Sequence, residues 1–154
     1  MKDRMKVQLG NATMRATAEL IQECNMKAVP CLLENGATSM LWAAPEIKTQ
    51  MAEASTITGD YCLHGTPYRK RTRFATWNCS QDFVNASILN KRCSSKKSIC
   101  DRSGKKHIVL EGPTVGPGPK GWKTSAAQVY PKPVAKASAK IITSGPDHAP
   151  MQEI

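Results

Sequence analysis

The sequence predicts an α/β domain: part of an open sheet, a basic Cys/His-containing insertion without regular structure, and a closing helix. Three observations carry that expectation. Met14, Thr17, Ala18, Ile21 and Cys24 fall at helical spacing over residues 10–25. An apolar run, 28–33, follows and ends in the polar triplet Glu34-Asn35-Gly36. Two β-like runs, 57–62 and 69–77, flank a tight His64-Gly65-Thr66-Pro67 turn.

Taken in order, Asn11 can cap the first helix and Asn25 can take its left-handed ending. The run 28–33 reads as a buried parallel strand, with Pro30 tolerated near its beginning. Ligands of such sheets bind beyond the carboxyl ends of the strands, which is where Glu34 and Asn35 fall. Residues 39–51 read as a helix broken by Pro45, with Trp42 as a packing anchor. In the run 69–77 side chains alternate faces, so Arg69, Arg71 and Arg73 share one and Lys70, Thr72 and Phe74 the other. Three guanidiniums on one face repel each other unless an acceptor sits opposite. Arg suits planar contacts with a carboxylate, a phosphate or a base edge. A solvated basic strand that blocks edge-to-edge association is the alternative.

Residues 78–120 are polar and poor in periodicity, and 111–122 read as a Gly/Pro-rich loop. A final helix is expected over 133–143, started by Pro131 and Pro133. Residues 144–154 read as a disordered tail.

The net charge is +10, and it is unevenly spread. From Asp60 to His107 there are 11 Lys and Arg against three Asp, a net of +8. That concentration favours a polyanion such as DNA as partner. A membrane partner is disfavoured: no basic amphipathic helix accompanies the charge, and no apolar run approaches the roughly 20 residues of a span. The start, MKDRMKVQLG, has no apolar signal core, so a non-secreted, intracellular protein is expected. Its six cysteines are then thiols or metal ligands.

Cys93, Cys100 and His107 are spaced C-x6-C-x6-H, with basic residues between them. Cys79 is the expected fourth zinc ligand, with Cys62 or His64 as alternates. A bound ion would help so apolar-poor a segment hold its shape. It would present Lys96, Lys97, Lys105 and Lys106 to DNA phosphates. Free thiols on a loosely ordered loop are the alternative.

The order of these pieces carries a resemblance. A helix, a strand ending in Glu34-Asn35, alternating arginines in YRKRTRF, a variable segment and a closing Ala127-Gln128-Val129-Tyr130-Pro131 stretch follow one another. Over about residues 9–142 this resembles cytosine-5 DNA methyltransferases, especially compact phage-, virus- and protist-associated forms. The resemblance implies a partial Rossmann-like methyltransferase sheet over 1–77, a recognition-like insertion over 78–122 and a closing segment over 123–143. It implies that Glu34, with Asn35 beside it, holds a flipped cytosine, while Arg71 and Arg73 hold the base carbonyl and orient Glu34. Arg69 and Lys70 would contact phosphates, and Ala127, Gln128 and Tyr130 would line an S-adenosylmethionine pocket.

The sequence departs from the family pattern. The glycine-rich cofactor loop and the Pro-Cys nucleophile loop do not occur, and Pro30-Cys31 spells that dipeptide only inside a strand. Arg69 stands in the family's Gln position, and Gly36 where Val or Pro is usual. The expectation is therefore a DNA-binding, methyltransferase-like fragment that is inactive alone, its missing half supplied by a separate polypeptide. The alternative is a non-enzymatic, basic nucleic-acid-binding protein with a zinc-stapled loop.

Overall fold

A computed structural model describes residues 2–112 and 129–145. Helix α1 spans Lys2–Met26. It begins before Asn11 because residues 2–9 are mostly good helix formers with no breaker. The left-handed residue after it is Ala28, at φ 52°, rather than Asn25, which lies within the helix. Strand β1 is Cys31–Gly36. A 3-10 turn, Met40–Ala43, and helix α2, Pro45–Met51, follow; Pro45 sits in the first turn of α2, where its missing N–H costs nothing. Strand β2 is Ser55–Asp60, the 3-10 turn Tyr61–His64 ends at left-handed Gly65, and strand β3 is Arg71–Trp77. Helices α3, Gln81–Ala86, and α4, Lys132–Thr143, complete the α-helices among the described residues.

The three strands lie in the order β1-β3-β2, and both neighbouring pairs are antiparallel. This corrects the expected parallel strand. The helical connection 37–54 does carry β2 back in the direction of β1. The tight β2–β3 link then inserts β3 between them, so every adjacent pair runs opposite. The fold is mixed α/β with a small antiparallel sheet. As an edge strand, β1 tolerates Pro30 just before it.

Each face of the sheet buries its own apolar cluster. Ala75 and Trp77 face α1 and α2, packing with Ala18, Ile21, Trp42 and Ile47. Ile57 and Phe74 face the other way, with Tyr61, Val84, Leu89 and the α4 residues Val134, Ala137 and Ile141. Helix α4 is thus the closing helix of the core, amphipathic with three buried residues. Gly59 sets how closely the 3-10 turn Ile88–Asn90 approaches β2: a Cβ there would lie 2.0 Å from the Leu89 carbonyl oxygen.

Candidate metal centre

Beyond β2 the chain collects four ligand-type side chains. Cys62, Cys93, Cys100 and His107 place their ligand atoms within 4.8 Å of one another. The three cysteines are almost fully buried. The local fold explains why residues so far apart in sequence meet. Cys62 is held in the turn that follows β2. Residues 98–107 fold back as a small hairpin: the Cys100 N–H donates to the Lys105 carbonyl and the His107 N–H to the Ser98 carbonyl, each at 2.9 Å. Gly104, at φ 65°, makes the reversal without a Cβ penalty. The hairpin is tied back by the Ile108 N–H, which donates to the Pro67 carbonyl at 2.9 Å.

The geometry suits a tetrahedral ion. Zn–S bonds of about 2.3 Å imply neighbouring donors roughly 3.8 Å apart. Cys93 Sγ and His107 Nε2 are 3.8 Å apart, and the widest separation requires a contraction of about an ångström. Groups around the donors orient them. Ser95 Oγ lies 3.2 Å from His107 Nδ1, leaving Nε2 to face the cluster. The Asp101 N–H donates to Cys93 Sγ at 3.4 Å. Burial raises the Cys62 thiol, and hydrogen bonds with Cys93 and Cys100 add to that. For Cys100, burial also raises the thiol. The Ser103 and Arg102 N–H groups, the Ser103 hydroxyl and His107 outweigh it and bring it to about 6. Those contacts ease the loss of its proton, beside an imidazole and two more thiols. Together the four side chains can hold a metal ion.

Asp60 anchors the centre from beneath. Fully buried, it accepts the Cys93 N–H at 2.9 Å and the Arg71 Nε–H at 3.1 Å. Arg69 Nε lies 3.5 Å from the same carboxylate. The Asp60 N–H in turn donates to the Lys91 carbonyl at 3.0 Å.

Cys79, expected as the fourth ligand, is elsewhere. It donates to the Trp77 carbonyl at 3.2 Å and sits beside Cys31. The cause is strand length: six steps along β3 carry the chain about 20 Å from Arg71, while Cys62 stays at the near end. Cys31 is part of the core against α1, and burial, reinforced by Cys24, pushes its thiol up to about 12. That leaves it no nucleophilic thiolate at neutral pH.

The expected grip of Glu34 by Arg71 and Arg73 is also corrected. Directly paired residues share a face, and Glu34 pairs with Phe74 while Asn35 pairs with Arg73. Glu34 is therefore on the face away from the arginines. It accepts from Tyr61 Oη at 3.0 Å and Lys70 Nζ at 3.3 Å, and also from Tyr130 Oη. Lys70 lies over the Tyr61 ring, 4.7 Å from its centroid. Burial and the Glu34 carboxylate both raise the two phenols, so they remain donors. Arg73 stacks over Trp42, 5.2 Å from the ring centroid, and Asn35 accepts the Gly36 N–H. Arg69 and Lys70, expected on phosphates, are thus engaged with Asp60 and Glu34 inside the protein. Ala127 and Gln128 lie outside the described residues.

Lys96 and Lys97, in the 3-10 turn that enters the hairpin, and Lys105 and Lys106, on its returning arm, are exposed. From Lys91 to His107 there are seven Lys and Arg against Asp101 alone, a net of +6. Asp60 and Cys62 are the residues that sequence reasoning underused. The signal was the tight turn itself, since folding 57–62 onto 69–77 places Asp60 opposite Arg71. Compared with known proteins, the chain matches no family model, no curated protein and no solved structure.

Proposed function

We propose that the chain is a DNA-binding module whose basic hairpin is held by a structural zinc ion at Cys62, Cys93, Cys100 and His107. The observation that carries this reading is the four-donor cluster at the base of a segment with net charge +6. Three thiols and an imidazole are the donor set that zinc prefers. Four protein ligands close the coordination sphere, which is the pattern of a structural ion rather than a catalytic one. The hairpin has little apolar content of its own, so the ion supplies the order that places its lysines. Those lysines neutralise phosphates, and DNA affinity then falls steeply with salt.

The test is DNA binding by zinc-loaded protein over a range of salt concentrations, with metal content measured on the same sample. Replacing Lys96, Lys97, Lys105 and Lys106 by Ala should weaken binding by at least tenfold and flatten the salt dependence. About one zinc per chain is expected. Unchanged affinity in the quadruple variant, or a metal-free protein with an intact hairpin, would defeat the proposal. Glu34→Gln should leave affinity unchanged, because Glu34 is engaged with Tyr61, Lys70 and Tyr130. The base-gripping role implied by the resemblance requires a loss instead.

A further inference from the structure

A groove of about 490 Å³ runs between α3 and α4 and shares no lining residue with the Cys/His cluster. Its floor is the α4 residues Ala137 and Ile141. One wall is formed by Phe83 and Ile88, which are 56% and 40% exposed. Large apolar side chains beside a concave surface are poorly placed in water unless something covers them. The opposite rim is Lys132, Lys136 and Lys140. Spaced four apart on α4, these lysines form one row about 12 Å long. Among the described residues, none of the three pairs with a carboxylate.

We propose that this groove docks an acidic amphipathic helix of a partner protein. Each part of the site excludes other occupants. A fatty acid would fill the apolar floor, but its single carboxylate answers one lysine of three. A nucleic acid would answer the lysines, but its phosphate backbone offers nothing to cover Phe83 and Ile88. A helix with aromatic or aliphatic residues at i, i+3 and i+4, and Asp or Glu at four-residue spacing beside them, satisfies both. The lysine row selects acidic partners and raises the association rate, while the floor supplies the area that holds them.

The experiment is a random-peptide display selection on the immobilised full-length, zinc-loaded chain, counter-selected on Lys132→Glu/Lys136→Glu/Lys140→Glu. Enriched peptides should be acidic with helical apolar spacing. Synthetic copies should bind the wild type at micromolar Kd and the charge variant at least tenfold more weakly. Phe83→Ala, at a half-exposed site that leaves the fold intact, should weaken them by a similar factor. No enrichment, enrichment of peptides without acidic residues, or affinity unmoved by both variants would overturn the proposal. So would oleate or duplex DNA binding that depends on these same residues while the peptides do not. Loss of DNA binding in the hairpin variants leaves this test intact, because the groove shares no residue with the hairpin.

Discussion

The Cys93 N–H donates to Asp60 Oδ2 at 2.9 Å, so the carboxylate that gathers Arg69 and Arg71 also positions a cysteine of the candidate metal centre. Asp60 is fully buried, and its counter-charges come from those two guanidiniums. Asp60→Asn keeps an acceptor for the amide but removes the charge. Breaking a buried ion pair costs about 3 kcal/mol. Urea unfolding should show a loss of that order, while zinc content should hold, because the Cys93 N–H keeps its acceptor. An unchanged midpoint would mean that the arginines find another partner.

The fourth ligand separates two simple variants. Cys62→Ser should reduce zinc content well below one per chain, since a hydroxyl is a poor replacement for a thiolate. Cys79→Ser should leave it unchanged, because that thiol faces backbone carbonyls at the far end of β3. Metal analysis of the two purified proteins decides; the reverse pattern would move the centre.

Metal removal should be visible in thiol chemistry. With zinc bound, Cys62, Cys93 and Cys100 should resist alkylation at pH 8, and a chelator should open all three by releasing the hairpin, so that burial no longer holds the Cys62 thiol up. Cys31 should stay slow in both states. Its pKa is raised to about 12, so the reactive thiolate is scarce until the pH approaches that value. Mass spectrometry of the labelled protein gives the pattern directly.

Gly59→Ala should destabilise the sheet by roughly 2–4 kcal/mol. Its Cβ would meet the Leu89 carbonyl oxygen at 2.0 Å, and the obstacle is backbone rather than a side chain that can swing aside. Thermal unfolding checks this, and a shift of less than a degree would show that the turn after α3 moves away freely.

Patterns within single segments were legible in the sequence, and relations between segments were not. The break at Pro45, the anchoring of Trp42 and the helix opened by Pro133 depend on nearby residues and appear as expected. Of the cluster that could hold a metal ion, Cys93, Cys100 and His107 were legible, because their spacing lies in one stretch. Cys62 had to come from the turn after β2, and choosing it over Cys79 requires knowing which end of β3 faces the hairpin. Glu34 shows the same limit. Its placement opposite Phe74 is a matter of register, and a slip of one residue would have turned it toward the arginines.

Cys62 and Cys93 are 31 residues apart, and the whole of β3 lies between them. An ion gripped by both closes that interval into a loop, as a covalent cross-link would. The middle strand of the sheet would then be part of a ring, fixed at both ends for as long as the ion is bound. Metal supply would set the cohesion of the sheet itself as well as the shape of the basic surface.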